Sequence, residues 1–152
     1  MDLDILILRD PRESTKKCSL TPLRGVPGVE FRTYQASRRV DATGRVLLDP
    51  DGEELSEADA GLGLFLIDCA WRRVPSLRRT VEGEPIRRRL PVLKTAYPRK
   101  SSTFEDPATG LASIEALYAA ACVLYGPHPE LLEHYHWREE FLAANPLLAS
   151  AR

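Results

Sequence analysis

The chain contains few of the residues that mark several classes of protein. Its 152 residues include three cysteines, one methionine and two tryptophans, and there is no CxxC pair. An odd number of widely separated cysteines argues against a disulfide framework and a zinc site, so we expect three reduced thiols and no metal. No run approaches the roughly 20 apolar residues of a membrane-spanning helix, and no signal-type segment opens the chain. We therefore expect a soluble, cytoplasmic protein without a membrane partner.

Neither sign of charge dominates, but the charges are unevenly placed. The net charge is -1, whereas residues 72–100 carry ten basic and two acidic side chains, a net of +8, and all other residues sum to -9. A compact basic block is typical of a surface that contacts nucleic-acid phosphates, and a solvated linker is the alternative on charge alone. Four prolines punctuate the block, which favours positioned loops over a tail. The predicted RNA contacts are Arg87, Arg88, Arg89, Lys94, Arg99 and Lys100.

The most informative stretch is residues 64–71, an apolar run that includes Asp68 and ends at Trp71. Gly63 precedes it and Arg72 follows it. An apolar run of this length predicts a strand that is buried on both faces, as in parallel sheets covered by helices. Asp68 and Trp71 then lie at the carboxyl end of the strand, where open α/β sheets bind their ligands.

The remaining pattern predicts an α/β fold with a parallel sheet in the front half and helices in the back half. The predicted strands are residues 4–8, 29–34, 46–48 and 62–68. Residues 111–125 are apolar almost all round and predict a buried helix, and residues 129–144 predict an amphipathic helix. We divide the chain into an α/β subdomain, 1–89, and a mainly helical subdomain, 90–152, which completes the site.

Two features of the helical half permit both a structural and a chemical interpretation. His134 and His136 form an HxH string of the kind found among metal ligands, but residues two apart on a helix face different sides. We therefore predict that His134 packs on the apolar stripe and that His136 is at the surface. Ser113 opens the buried helix, where it could be a plain amino-terminal cap or mark a place where exposed amides hold an anion.

Four short elements in order give the chain a family resemblance. It resembles the 18S rRNA aminocarboxypropyltransferases of eukaryotes and archaea. The elements are Lys17-Cys18-Ser19, Asp68-Cys69-Ala70-Trp71, Leu90-Pro91 and Ser113-Ile114-Glu115-Ala116. The chain departs from the family at residues 95–98, Thr-Ala-Tyr-Pro in place of Ala-Ala-Asn-Pro, and at Thr109, where some members have an aromatic residue.

The resemblance implies a SPOUT-like fold with a deep trefoil knot and an enzyme that binds S-adenosylmethionine. The implied reaction transfers the 3-amino-3-carboxypropyl group to N3 of a modified uridine in small-subunit rRNA or a pre-ribosomal particle. Asp68 is the implied catalytic residue, Trp71 would pack against the sulfonium methyl, and a monomer is expected. The implied cofactor-binding residues are Ser19, Ile67, Asp68, Trp71, Leu90, Thr109 and Ser113. An RNA methyltransferase and a non-catalytic assembly factor are the alternatives.

Overall fold

The computed structural model describes residues 1–12, 19–96 and 111–150. Within these ranges the strands are β1 (Ile5–Arg9), β2 (Val29–Thr33), β3 (Val40–Asp41), β4 (Arg45–Glu54), β5 (Gly63–Asp68), β6 (Val81–Glu82) and β7 (Ile86–Arg89). The α-helices are α1 (Val74–Arg78), α2 (Ser113–Tyr125), α3 (Arg138–Ala144) and α4 (Pro146–Ser150). Short 3-10 helices cover Thr21–Leu23, Glu57–Asp59, Trp71–Arg73 and Pro129–Leu132.

The main sheet has five strands in the order β2-β1-β5-β4-β7, and every neighbouring pair is parallel. The small strands β3 and β6 form a separate parallel pair. The predicted parallel α/β sheet is therefore confirmed, with β5 at its centre. The strand predicted at 46–48 is longer than expected, because β4 continues past an irregularity between Leu48 and Glu53 and pairs again with β7.

Both faces of the central strands are buried, as the apolar run predicts. Ile7 and Leu66 face one core, which they share with α2 and the segment that precedes β2. Leu8 and Phe65 face a second core, which includes Leu77 of α1. Successive side chains of a strand point to opposite faces, so this alternation of two apolar sets requires a covering layer on each side.

Helix α2 runs antiparallel to the strands that it covers. Its last residue, Tyr125, donates its hydroxyl to the carbonyls of Asp4 (2.8 Å) and Leu62 (2.7 Å), at the amino ends of β1 and β5. A helix of 13 residues is about 20 Å long, which matches the roughly 20 Å of a six-residue strand. The first residue of α2, Ser113, therefore lies at the carboxyl ends of the strands.

The segment 129–144 is not the single amphipathic helix that its pattern predicts. A 3-10 helix ends at Leu132 and α3 begins only at Arg138. His134 and His136 are both exposed, so the prediction that His134 packs on an apolar stripe is wrong. The projection fails because it assumes continuous helix, whereas in the actual turn Tyr135 takes the interior position.

Among the residues that the structure describes, no helix combines the length and the apolar character needed to cross a membrane. Cys69 and Cys122 are not joined by a disulfide, and Cys18, the third predicted thiol, lies outside the described residues.

Candidate cofactor and RNA site

The carboxyl ends of β1 and β5 hold a buried ion pair. Arg9 and Asp68 are register partners. The Arg9 Nε atom donates to Asp68 Oδ2 at 3.0 Å, and the two side chains are only 8% and 5% exposed. The Arg9 guanidinium also lies 4.6 Å from the centre of the Phe31 ring. Asp68 is thus held as an oriented carboxylate on the face of the sheet that α2 covers.

A second ion pair lies one residue further along the same edge. Arg73 Nε donates to Asp10 Oδ2 at 2.9 Å, and the Asp10 amide donates to the Asp68 carbonyl at 3.0 Å. Burial raises the pKa of Asp10, but hydrogen bonds from Arg73 and from the Arg12 amide outweigh it, so the pKa lies below its ordinary value. Arg9 and Asp10 were not among the predicted site residues, although two adjacent charged residues at the end of an apolar strand are a usable signal.

Ile67, on β5, and Trp71, just after β5, can offer different groups to a ligand at this edge. Trp71 begins the 3-10 helix that follows β5, and 58% of it is exposed. Ile67 packs against the core on the α1 face. Ile67 can therefore offer its backbone to a ligand at this edge, whereas Trp71 can offer its indole ring.

The start of α2 is capped from a distant part of the chain. Ser113 is the first helical residue and Ala112 occupies the capping position, so a capping role for Ser113 is wrong. The hydroxyl oxygen of Ser19 accepts from the Ile114 amide at 3.2 Å. The structure thus brings Ser19 and Ser113 together, as the cofactor prediction requires. The cap comes from Ser19 because a residue already inside the first turn is poorly placed to cap that turn.

Glu115 is a completely buried carboxylate that ties three segments together. Its Oε1 accepts from the Thr95 hydroxyl (2.6 Å) and the Ala112 amide (2.9 Å). Its Oε2 accepts from the Ala96 amide (2.9 Å) and the Tyr135 hydroxyl (2.9 Å). As the only charge in an apolar helix it could have been singled out from the sequence, but its partners could not.

Asn145 holds the same segment a little further upstream. Its side chain accepts from the Lys94 amide at 2.9 Å and donates to the Lys94 carbonyl at 2.7 Å. Leu90, which follows β7, is half-buried against the core that contains α2. The chain from Leu90 to Ala96 therefore crosses the carboxyl edge and is fastened to the helical half.

Six of the seven predicted cofactor residues thus lie at or next to the carboxyl edge of the sheet, five at strand ends or the start of α2 and Ser19 in a turn that is hydrogen-bonded to α2. These are Ser19, Ile67, Asp68, Trp71, Leu90 and Ser113. The seventh, Thr109, lies outside the described residues.

The predicted RNA-contacting arginines on β7 are not equivalent. Arg88 is 25% exposed, and its Nε donates to the buried carboxylate of Asp59 at 3.1 Å. The side chains of Arg87 and Arg89 are each 50% exposed. Lys94 has an exposed side chain. Arg99 and Lys100 lie outside the described residues. Arg87 and Arg89 also have partners within the protein, Asp49 at 3.5 Å and the Gly52 carbonyl at 3.0 Å. They differ from Arg88 in exposure, since half of each side chain is open to solvent.

Comparisons with known proteins agree with this architecture. Residues 46–150 match the family described as "Ribosome biogenesis protein, C-terminal". The chain is 30% identical over 151 residues to a 16S rRNA aminocarboxypropyltransferase of Vulcanisaeta distributa, covering 93% of this chain and 77% of that protein. It superposes on the solved structure of the SAM-dependent rRNA:acp-transferase Tsr3 from Vulcanisaeta distributa with a TM-score of 0.74 and 28% identity, over 99% of this chain and 83% of that one. The chain accordingly belongs to this ribosome biogenesis family, whose members include the rRNA aminocarboxypropyltransferases.

Proposed function

We propose that the protein transfers the 3-amino-3-carboxypropyl group of S-adenosylmethionine to N3 of a uridine in small-subunit rRNA during ribosome maturation. The observation that carries this proposal is the meeting of Asp68, Trp71 and the start of α2 at one edge of the sheet. The names of the two Vulcanisaeta distributa proteins support the same reaction.

The residues at the edge fit two charged parts of S-adenosylmethionine, the sulfonium and the carboxylate. An exposed indole such as that of Trp71 attracts a sulfonium cation through its ring face. The first turn of α2 carries backbone amides and the positive end of the helix dipole, which suit the carboxylate of the amino-acid arm. Ser19 accepts from the Ile114 amide and thereby fixes the conformation of that turn.

In this proposal Asp68 acts through its negative charge and does not take up the N3 proton. Bound S-adenosylmethionine supplies the electrophilic carbon next to its sulfonium on the amino-acid arm. A bond forms from N3 of the uridine to that carbon, the carbon–sulfur bond breaks, methylthioadenosine leaves, and the N3 proton is lost to water. A carboxylate is in general a weak base for a uracil imide. Because Arg9 holds the Asp68 carboxylate in one orientation, the carboxylate is suited to complement the sulfonium charge or to contact the ribose.

The choice of transferred group rests on positioning. The attacking nitrogen must approach the reacting carbon in line, at about 3 to 3.5 Å, with the methyl turned away. Packing of the Trp71 ring against the methyl would achieve this, since the ring would occupy the side from which the methyl could be attacked.

The test uses S-adenosylmethionine labelled either in the amino-acid arm or in the methyl group, with small-subunit rRNA as the acceptor. The expected result is arm label in the RNA and methylthioadenosine as the second product. Methyl label in the RNA with adenosylhomocysteine would instead identify a methyltransferase. No transfer and no cofactor binding would identify an assembly factor. Asp68→Asn should lose most of the transfer, and Asp2→Asn, which changes an exposed carboxylate, should not.

We further propose the SPOUT-like knotted path and a cytoplasmic monomer for this protein. The chain leaves the sheet at the edge strand β7, and α2 then packs against the central strand β5. Such a return from edge to centre supports a threaded path. Because α2 shares its core with β1 and β5, the proposed subdomains 1–89 and 90–152 would be joined by an extensive apolar interface. Light scattering on the purified protein tests the oligomeric state.

A further inference from the structure

The small sheet of β3 and β6 brings two arginines from outside the basic block to the face that carries α1. Val40 pairs with Val81, which places Arg38 and Arg39 beside the end of α1. The Arg39 guanidinium donates to the carbonyl of Arg79. Two basic segments about 40 residues apart in sequence therefore form one surface.

This surface continues to the edge strand β7. Asp49 Oδ2 lies 3.1 Å from Arg78 Nη1 and 3.5 Å from Arg87 Nη1. Asp49 therefore joins α1 to β7, and at 8% exposure it presents little of its own charge outward. Arg89 lies two residues after Arg87 on the same strand and shares its face. We call the whole set the arginine surface: Arg38, Arg39, Arg78, Arg79, Arg87 and Arg89.

Part of the charge of the arginine surface is uncompensated, although Arg89 lies 4.0 Å from the exposed Glu54 carboxylate. Arg38, Arg39 and Arg79 are exposed. Within the described ranges, the guanidinium groups of Arg38 and Arg79 have no carboxylate within 4.0 Å. Arg39 is paired with Glu82 at 3.7 Å, but both side chains are about 60% exposed, and such pairs are weak. Together with their paired carboxylates Asp49, Glu54 and Glu82, the six arginines therefore carry a net charge of +3, which is available to an anionic partner.

We propose that the arginine surface holds the phosphate backbone of rRNA beside the acceptor nucleotide, an inference that rests on the proposed function. Planar guanidinium groups bind phosphates in bidentate fashion, and several of them in a row suit a polyanion better than a single acidic side chain. The 3-10 helix and α1 separate Trp71 from Arg79 by roughly 15 Å. The surface would therefore hold nucleotides that flank the acceptor. It would leave the carboxyl edge of the sheet, with Asp68 and Trp71, free for the reacting base.

The test compares the full chain with the double variant Arg38→Gln/Arg39→Gln. The matched control is Arg32→Gln/Arg138→Gln, which removes two exposed arginines from β2, at the opposite edge of the sheet, and from α3. Affinity for a small-subunit rRNA fragment is measured over a series of salt concentrations. Each lost phosphate contact lowers the log-log salt slope by about 0.7 to 0.9, so the double variant should lose about 1.5 and bind several-fold more weakly. Calorimetry should show unchanged affinity for S-adenosylmethionine in both.

The outcomes separate this inference from the function on which it rests. If the parent binds and modifies the RNA but the Arg38/Arg39 variant matches the control in affinity and salt slope, the inference is overturned and the function stands. If the parent does not bind the RNA even at low salt, both fail. Circular dichroism confirms that the variants are folded.

Discussion

Replacing Glu115 by glutamine should lower the free energy of unfolding by about 2 to 3 kcal/mol, although the two side chains have nearly the same shape. Each oxygen of the buried Glu115 carboxylate accepts one hydroxyl, from Thr95 or Tyr135, and one backbone amide, from Ala112 or Ala96. Glutamine replaces one oxygen by an NH2 group. The hydroxyl on that side can rotate and accept, but the backbone amide cannot. One buried amide therefore loses its acceptor, which costs about 1 to 3 kcal/mol, and the remaining hydrogen bonds lose their charge assistance.

Urea unfolding followed by circular dichroism measures this loss directly. A loss of about 2 to 3 kcal/mol corresponds to a decrease in Tm of roughly 4 to 12 °C for a chain of this size. Tyr135→Phe removes one hydroxyl without stranding an amide and should cost about 1 kcal/mol. Glu139→Gln, on an exposed side chain, should stay within about 0.5 kcal/mol. If Glu115→Gln also stayed within about 0.5 kcal/mol of the parent, the hydrogen-bond argument would be refuted.

Three further measurements test other parts of the structure. Trp71→Ala should weaken S-adenosylmethionine binding by roughly 1 to 2 kcal/mol in calorimetry if the indole meets the sulfonium, and an unchanged affinity would remove the ring from the site. Burial raises the pKa of Asp10 and of Asp49, but arginine and backbone hydrogen bonds outweigh it and hold both below 3.8, so their contribution to stability is present above about pH 4 and is lost as the pH falls through the folded values. Burial raises the pKa of Tyr125 from 10.0, so above pH 10 this tyrosine ionises first in the unfolded chain and the free energy of unfolding should fall. Urea unfolding is measured as a function of pH, and a free energy of unfolding that did not change at low pH or at high pH would contradict these signs. A fragment of residues 1–89 should not fold alone, because α2 covers one face of its sheet, and a cooperative thermal transition of that fragment would contradict this.

The elements that could be predicted are those whose own side chains determine their environment. The apolar run that became β5 needs cover on both faces wherever it lies, so its place in a parallel sheet follows from its composition. The same holds for α2, where an almost uniform apolar surface requires a buried helix. The position of the candidate site then follows from the rule that the carboxyl ends of parallel strands lie together at one edge of the sheet.

The features that could not be predicted depend on partners far away in sequence. The pattern of residues 129–144 predicts a single helix, because nothing in it indicates that Tyr135 turns inward to contact Glu115, 20 residues earlier. The basic block gave no sign that Arg88 is engaged by Asp59, 29 residues earlier. Charge counting treats all arginines of a block as equal, whereas the alternation along β7 separates Arg88 from its two neighbours.

The contact between Asn145 and Lys94, 51 residues apart, has a consequence for the order in which the protein is made. A chain is synthesised from its amino terminus, so β5 and its Asp68 exist well before the residues that fasten the segment from Leu90 to Ala96. This segment can be fastened at the carboxyl edge of the sheet only after Asn145 has left the ribosome. An unfinished chain therefore contains the arginine surface, which we propose binds RNA, before the segment from Leu90 to Ala96 is held at the carboxyl edge of the sheet.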